Sequence, residues 1–196
     1  MYPIICNGIA IYRNAIRKPN ELIGVVESVI SNDLNNSICW EKSSVVHSDG
    51  TTGVSEVRTN SILHLQTMEK DIFSVALNHV NKILHESFSS CLSNFSRKFK
   101  VNVNSRTSSN YSILKYENGE KYIHHLDDGP QTPRKVSAVG YLNDDFSGGE
   151  LDFDKLDFRY SPVAGDIVVF PSMAPYSHAS LPIASGIKYS VVNWWS

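Results

Sequence analysis

Apolar residues in the first hundred positions recur with a helical period in two separate stretches. Residues 19–33 and about 67–90 repeat apolar side chains at i, i+3 and i+4, the spacing that lines one face of an amphipathic helix. The predicted apolar faces are Leu22, Val25, Val26, Val29 and Ile30 in the first stretch, and Ile72, Val75, Ala76, Val80, Ile83 and Leu84 in the second. Asn20 is the predicted N-cap of the first helix, because its side-chain oxygen can accept a hydrogen bond from a free backbone N–H.

From Val101 onward, short runs of β-branched and aromatic residues replace the helical period. Four such runs, YSILKY, KVSAVGYLN, GDIVVFPS and IKYSVVNWW, are separated by Gly, Pro, Asn and Asp residues. The runs predict strands and the separating residues predict turns. Another strand, turn and strand are predicted within residues 39–59. The pattern therefore predicts a mainly β fold, a sandwich, jelly roll or barrel, with supporting N-terminal helices.

The chain contains no internal repeat, low-complexity tract or linker that would divide it. Its length of 196 residues suits one domain with a sizeable core. We expect residues 1–196 to form a single domain, in which residues 1–100 give helical and β support and residues 101–196 give most of the core.

Composition narrows the class of protein. Hydrophobic residues make up 41% and charged residues 19%, as in ordinary soluble globular proteins. The 18 Lys and Arg against 20 Asp and Glu give a net charge of -2, which argues against nucleic acid as a partner. No stretch approaches the roughly 18 apolar residues that cross a bilayer, so no membrane association is expected. Three cysteines without a C-x-x-C pair favour a reducing compartment, and we expect a cytoplasmic protein whose oligomeric state stays open.

The sequence YIHHLDD carries the first candidate chemistry. Alternate residues of a strand point to the same face, so His125 and Asp127 are predicted to project together, whereas His124 and Asp128 point away. An imidazole and a carboxylate are two of the three ligands in the 2-His-1-carboxylate site of non-haem Fe(II) oxygenases. The same pair is also common as a simple hydrogen-bonded surface pair, so a third ligand must decide between the two interpretations.

His178 is the best candidate for the third ligand among the seven histidines, because it lies downstream in the same β region. A second His-x-Asp, at His47 and Asp49, runs directly into the turn sequence GTTG and is predicted not to bind metal. Lys188 follows His178 by ten positions. If it lies on the next strand, its ammonium group could point into the barrel and bind the carboxylate of a dicarboxylic cosubstrate.

Several motifs accompany these residues in a fixed order. They are Tyr116-x-x-Gly119-x-x-Tyr122-x-x-His125-x-Asp127, Arg134-x-x-Ser137, Tyr141-Leu142-Asn143, Gly148-Gly149-Glu150, Pro162-x-x-Gly165, His178, Pro182, Gly186 and Lys188. This ordered set, which covers about the C-terminal 80 residues, resembles the prolyl 4-hydroxylase branch of the 2-oxoglutarate- and Fe(II)-dependent dioxygenases. Residues 56–60, EVRTN, weakly resemble an upstream Arg-Thr-Ser element of that branch.

The resemblance implies a double-stranded β-helix core, a cupin-like jelly roll, and three groups of functional residues. The catalytic Fe(II) ligands would be His125, Asp127 and His178. The residues that bind 2-oxoglutarate would be Lys188, which pairs with the distal carboxylate, and Tyr141 and Tyr116. The residues that border a peptide substrate would be Tyr122, Arg134 and Trp194. Leu151 departs from the family pattern, because many members carry Thr there, and the lost hydroxyl makes Tyr141 more important.

The implied reaction is hydroxylation of a peptidyl proline, coupled to decarboxylation of 2-oxoglutarate to succinate and CO₂. It would use Fe(II), 2-oxoglutarate and O₂, with ascorbate as reductant, and a proline-containing peptide or protein as substrate. Asp127 favours hydroxylation over halogenation, since related halogenases carry a small apolar residue at this position. Two alternatives remain open: a 2-oxoglutarate oxygenase that acts on another protein residue, a small molecule or a nucleobase, and a non-catalytic cupin-like binding module.

Overall fold

The structure is a computed structural model that describes residues 2–34, 37–46, 52–65, 72–103, 111–130 and 132–196. Within these ranges the chain forms two α-helices, α1 (Pro19–Asn32) and α2 (Ile72–Phe99), and sixteen β-strands. The strands are β1 Ile4–Cys6, β2 Ile9–Tyr12, β3 Glu41–Lys42, β4 Ser44–Val46, β5 Thr52–Val54, β6 Ser61–His64, β7 Ser112–Tyr116, β8 Tyr122–His125, β9 Val136–Tyr141, β10 Ser147–Gly148, β11 Leu151–Phe153, β12 Phe158–Tyr160, β13 Ile167–Pro171, β14 His178–Ser180, β15 Ile183–Ser185 and β16 Lys188–Trp195.

Two antiparallel sheets form the body of the protein. The large sheet has eight strands in the order β1-β2-β13-β9-β16-β7-β6-β3, and the small sheet has four in the order β12-β11-β14-β8. Their apolar inner faces meet in one cluster, in which Val168 and Phe170 of β13 pack with Leu151 and Phe153 of β11. The mainly β fold with supporting helices that the sequence predicts is therefore confirmed.

The large sheet is covered on both faces, because alternate residues of its strands point into different layers. On β16, Val191 belongs to the cluster beneath the helices, whereas its neighbour Val192 belongs to a cluster on the inner face. A strand buried on both faces reads as a continuous apolar run, which explains why Ile167–Pro171 and Lys188–Trp195 lack simple polar alternation. The four C-terminal runs predicted as strands are confirmed as β7, β9, β13 and β16.

Helix α1 begins two residues earlier than the predicted N-cap implies. Its N-cap is Lys18, with φ of 50°, and Pro19 occupies the first turn, so the predicted N-cap role of Asn20 is wrong. Proline suits this position because the first helical N–H groups have no partner within the helix. Leu22, Val26 and Val29 are buried, as the periodicity predicts.

Helix α2 extends to Phe99 instead of ending near Ser90, and its predicted start at residues 67–71 lies outside the described residues. Val80, Leu84 and Phe88 of this helix are buried. The predicted burial of Val75 is wrong, since Val75 is 70% exposed. The helix lies close to β9 because a glycine stands there: a Cβ on Gly140 would be 2.9 Å from Phe88 Cζ.

The hairpin predicted between residues 39 and 59 is confirmed as β4 paired with β5, with Val45 opposite Gly53. His47 and Asp49, the second His-x-Asp pair, lie outside the described residues. Neither of the two helices in the described part of the chain combines the length and the apolar character needed to cross a membrane.

Candidate active site

A cavity of about 110 Å³ lies between the inner faces of the two sheets. One water needs about 10–15 Å³ on this measure, so the cavity has room for a small organic acid. All nine residues to which the family resemblance assigns a role line its wall. They are Tyr116, Tyr122, His125, Asp127, Arg134, Tyr141, His178, Lys188 and Trp194.

The small sheet brings two histidines and one carboxylate together. His125 ends β8, His178 begins β14, and the two residues are direct partners across this strand pair. Asp127 lies in a bend just after β8 instead of in the strand as expected, yet it still faces His125. One ligand atom from each of the three residues lies within 4.8 Å of the others. This separation allows all three to bind one ion.

Both histidines turn the same nitrogen towards Asp127. His125 Nδ1 lies 2.8 Å from the carbonyl oxygen of Ile123, and His178 Nδ1 lies 3.1 Å from that of Tyr176. A carbonyl can only accept, so Nδ1 carries the proton and Nε2 keeps a free lone pair. The Nε2 atoms lie 3.6 and 3.5 Å from the carboxylate oxygens of Asp127. The tautomers are those that a metal site requires.

The protonation of the cluster also suits a metal ion. Burial raises the pKa of Asp127, but the nearby His178 and His125 and the hydrogen bond from Ser137 outweigh it and hold that pKa below its usual range. Burial lowers the pKa of His178 to about 4, although Asp127 acts in the opposite direction. At neutral pH the cluster therefore presents an ionised carboxylate and a neutral His178 imidazole, the forms that bind metal.

Lys188, the first residue of β16, points into the cavity and is 2% exposed. Its Nζ donates hydrogen bonds to Gly149 O at 2.6 Å and to Ser180 Oγ at 2.8 Å, but it forms no ion pair with any described residue. Burial lowers the pKa of Lys188 to about 7, while Glu150 acts to raise it. A buried amine without a carboxylate partner is suited to bind an anion that enters the cavity.

Tyr141 offers a second polar group beside Lys188. Its ring centroid lies 5.6 Å from Lys188 Nζ, and its hydroxyl is buried without a hydrogen-bond partner. Burial raises the pKa of Tyr141, so the hydroxyl remains a donor at neutral pH. The ring of Tyr116 is also close to Lys188, with its centroid 5.0 Å from Nζ. A dicarboxylate in this part of the cavity would give the Tyr141 hydroxyl a hydrogen-bond partner and the Lys188 ammonium group an opposite charge, so the residues fit 2-oxoglutarate.

Three aromatic or basic side chains stand around the histidines. The Tyr122 ring stacks on His125, with centroids 3.6 Å apart and planes 15° apart. Arg134 Cζ lies 3.9 Å from the ring centroid of Trp194, which is on the same face of β16 as Lys188. These are the three residues that the resemblance assigns to the edge of the substrate site.

Three polar residues that were not predicted from the sequence to have a role also reach this site. Ser137 Oγ donates to Asp127 Oδ2 at 2.7 Å, and its place in the Arg134-x-x-Ser137 motif was a usable signal. Ser180 accepts a hydrogen bond from Lys188 and lies directly opposite Leu151 on the neighbouring strand. It therefore supplies a hydroxyl group next to the position where many family members carry Thr and this chain carries Leu151. Arg58 lines the cavity from the EVRTN segment.

His124 is separated from the cluster although it neighbours His125 in sequence. Its Nε2 lies 2.9 Å from Asp152 Oδ2 on the outer surface, and its side chain is 36% exposed. This placement agrees with the predicted alternation of faces along β8.

Comparison with known proteins points to one family. The family model described as the 2OG-Fe(II) oxygenase superfamily matches residues 111–196. A protein named putative prolyl 4-hydroxylase, from Acanthamoeba polyphaga mimivirus, is 37% identical over 70 residues, which are 32% of this chain and 28% of that protein. The probable prolyl 4-hydroxylase 9 of Arabidopsis thaliana is 27% identical over 113 residues, which are 43% of this chain and 39% of that protein. The match thus spans less than half of either relative.

Three solved structures share the fold over nearly the whole chain. A prolyl hydroxylase from Trichoplax adhaerens, in complex with a peptide of the hypoxia inducible factor oxygen degradation domain, has a TM-score of 0.73 at 18% identity and covers 96% of this chain and 83% of that one. A Pseudomonas putida prolyl-4-hydroxylase has a TM-score of 0.65 at 19% identity, with coverages of 96% and 91%. The viral collagen prolyl hydroxylase of Paramecium Bursaria Chlorella virus-1, in complex with 2OG, has a TM-score of 0.60 at 17% identity, with coverages of 96% and 94%. The predicted jelly-roll core is therefore confirmed.

Proposed function

Since residues 111–196 match the model of the 2OG-Fe(II) oxygenase superfamily, we propose that this protein is a prolyl 4-hydroxylase that acts on a peptide or protein substrate. One observation supports the proposal most: His125, Asp127 and His178 share a cavity with a buried lysine and with an arginine–tryptophan pair. Metal ligands, an anion anchor and a peptide-binding edge are the three parts that this reaction needs.

His125, Asp127 and His178 would hold Fe(II), since two imidazoles and one carboxylate on one side of the ion leave positions for a cosubstrate and O₂. When bound, iron with 2-oxoglutarate and O₂ supplies an oxidant strong enough to hydroxylate an unactivated C–H bond, and 2-oxoglutarate leaves as succinate and CO₂. Ser137 keeps the Asp127 carboxylate oriented and ionised by its hydrogen bond at 2.7 Å. The carbonyls of Ile123 and Tyr176 fix the two imidazole rings.

Lys188 and Tyr141 would bind the distal carboxylate of 2-oxoglutarate. Support comes from their burial, from the unsatisfied Tyr141 hydroxyl and from the absence of any described carboxylate paired with Lys188. The wall around them is apolar at Leu114, Val139 and Val192. An apolar wall excludes water and strengthens the interaction between the ammonium group and the carboxylate.

Tyr122, Arg134 and Trp194 would hold the peptide. The Arg134 guanidinium lies over Trp194 and 3.9 Å from Asp127, and the Tyr122 ring lies over His125, so planar side chains adjoin two of the metal ligands. Flat aromatic surfaces bind polyproline II segments well, because such segments are rigid before they bind. The curated relatives are named as prolyl 4-hydroxylases, which favours proline over other residues.

We further propose that residues 1–196 act as one catalytic unit, with ascorbate as the reductant that keeps the iron ferrous. The apolar cluster beneath the helices supports a single catalytic unit, because side chains of α1 and α2 pack on the outer face of the strands whose inner face lines the cavity. The cysteines Cys6, Cys39 and Cys91 are free, which favours the cytoplasm among possible locations.

The test is a turnover assay with Fe(II), 2-oxoglutarate, ascorbate and a panel of proline peptides in extended or polyproline II sequence contexts. We expect succinate release together with a mass gain of one oxygen on proline, located by fragment-ion mass spectrometry. Matched peptides with alanine in place of proline are the control. Succinate release without any modified proline peptide would contradict a prolyl substrate, and failure to bind 2-oxoglutarate would favour a non-catalytic module.

A further inference from the structure

The cavity has an excess of positive charge once the proposed Fe(II) and 2-oxoglutarate are counted together with the charged side chains of its wall. A ferrous ion and the 2-oxoglutarate dianion cancel, and so do the Asp127 carboxylate and the Lys188 ammonium group. Two guanidinium groups remain, those of Arg58 and Arg134. The whole chain has a net charge of -2, so this local positive charge is not a general property of the protein. A positive mouth on an acidic protein favours a substrate with negative charge close to the reacting residue.

Arg58 faces the cavity without a matching carboxylate. Its Cζ lies 4.8 Å from the ring centroid of Tyr122. Its hydrogen bonds go to neutral acceptors, with Nε 3.2 Å from Asn60 Oδ1 and Nη1 3.5 Å from Ser44 O. Among the described residues no carboxylate lies within ion-pair distance of this guanidinium. Its remaining N–H groups are free to bind a carboxylate in the paired geometry that arginine prefers.

Arg134 is a second cation of the cavity wall, and it would have no carboxylate partner once Asp127 binds the metal. The carboxylate nearest to it is that of Asp127, whose Oδ1 lies 3.9 Å from Arg134 Nη1 and would be taken up by the metal. Both guanidinium groups line the same cavity, so one anion bound there could lie against the two of them.

The distance from Arg58 to the metal ligands sets how far the anion can be from the reacting proline. Arg58 Cζ lies 4.8 Å from the Tyr122 ring centroid, which lies 3.6 Å from the His125 ring centroid, so Arg58 Cζ is at most about 8.4 Å from the His125 ring. A polyproline II chain rises about 3.1 Å per residue. Two to three residues of substrate therefore span the gap.

We propose that Arg58, assisted by Arg134, selects peptide substrates that carry an acidic side chain within three residues of the target proline. The inference rests on the proposed prolyl hydroxylase function and adds the class of substrate. A peptide carboxylate fits two cations better than a nucleic acid does, because nucleic-acid binding uses a run of basic contacts that the described wall of the cavity lacks.

The experiment compares sets of peptides that differ at one position. Each set has one proline and carries aspartate, asparagine or lysine in turn at each position from three before to three after it. We expect the wild-type protein to show a kcat/KM about 10- to 100-fold higher for aspartate than for asparagine at one or two positions, and lower still for lysine. Binding of labelled peptides to metal-free protein, followed by fluorescence anisotropy, should show the same order.

Three variants assign the preference to Arg58. Arg58→Gln should reduce the ratio of kcat/KM for aspartate peptides to that for asparagine peptides to about threefold or less. Arg58→Glu should give lysine peptides a higher kcat/KM than aspartate peptides. Arg97→Gln removes the same charge from the exposed end of α2 and should keep the wild-type ratio. Because the ratio is measured within one variant, partial unfolding cancels out. The 2-oxoglutarate affinity of each variant is the readout that a merely structural role of Arg58 would disturb.

The outcomes separate this inference from the proposed function. Equal turnover of aspartate and asparagine peptides by the wild-type protein would overturn the inference and leave prolyl hydroxylation standing. An aspartate preference that survives in Arg58→Gln would also overturn it. Competition by a short single-stranded oligonucleotide, but not by acidic peptides, would point to nucleic acid and overturn it. If no proline peptide is modified although 2-oxoglutarate binds, the proposed function fails and the inference fails with it.

Discussion

His124 and His125 stand side by side in the sequence but belong to different faces of the small sheet. His125 faces His178 and Asp127 inside the cavity, whereas His124 bonds to Asp152 on the surface. The period of two along a strand is sufficient to separate them. A shift of one residue along β8 therefore separates a predicted metal ligand from a surface histidine, and His124 is a suitable control for variants of His125.

Alanine at His125, Asp127 or His178 should weaken binding of a divalent metal by at least about 100-fold, because one ligand of three is lost, and loss of a group that only orients a ligand already costs about 10- to 100-fold. Binding of Mn(II) by electron paramagnetic resonance, together with succinate release, measures the effect. His124→Ala should keep both values within about twofold of wild type. Unchanged metal binding by any one of the three alanine variants would remove that residue from the ligand set.

The protonation of Lys188 predicts how 2-oxoglutarate affinity depends on pH. Its pKa of about 7 means that the free protein loses the ammonium form as the pH rises above 7, whereas the complex requires that form. Affinity should therefore fall by up to about tenfold per pH unit above pH 7 and level off below it. Calorimetric titration from pH 6 to 9 with Mn(II) and without O₂ measures this dependence.

Two variants at this position isolate the amine. Lys188→Met should bind 2-oxoglutarate weakly at every pH, because the positive charge is gone. Lys188→Arg keeps its charge over this range and should give a flat profile. Unchanged 2-oxoglutarate affinity in Lys188→Met, together with a flat profile for the wild-type protein, would show that Lys188 does not bind the carboxylate.

At the scale of the elements, α2 is held on the large sheet by a contact between a large and a small residue. Phe88 is fully buried, and it approaches β9 at Gly140, where no side chain intervenes. Phe88→Ala should lower the free energy of unfolding by about 3–5 kcal/mol, since it leaves a cavity between the helix and the sheet. Urea unfolding followed by circular dichroism measures the change.

Val75→Ala on the same helix is the matched control for this prediction. Val75 is 70% exposed, so its truncation should change the free energy of unfolding by less than about 0.5 kcal/mol. A large loss in Val75→Ala, or a small one in Phe88→Ala, would mean that α2 packs through a different face.

At the scale of the whole molecule, the first half of the chain completes the sheet on which the second half depends. Strand β2 pairs with β13, and β6 pairs with β7, while the helices cover the outer face of β9, β13 and β16. A fragment of residues 101–196 would expose that apolar face to water. We expect this fragment to be unfolded or aggregated by circular dichroism and gel filtration, whereas the full chain unfolds in one transition. A folded fragment that binds 2-oxoglutarate would contradict the proposal of a single unit.

The sequence alone determined the features that depend on neighbours close along the chain. Strand periodicity predicted β7, β9, β13 and β16, and the family resemblance that the ordered motifs carry selected nine residues that line one cavity. Both kinds of pattern are local, because a strand alternates its faces every residue and a motif fixes short spacings. The roles of those nine residues stay predictions until the variants above are measured.

Only the tertiary structure decided the features that depend on residues distant in sequence. Val75 fits a helical stripe but finds no partner layer, Phe95 extends the buried face of α2 beyond the predicted end, and Arg58 reaches the cavity through a bridge to Tyr122. The ends of a helix and the burial of its residues depend on which surfaces of the sheet it contacts. The helical periodicity of 3.6 residues in the sequence does not indicate where those surfaces lie. The charge balance of the cavity likewise arises from the folded chain, because its members come from segments more than a hundred residues apart.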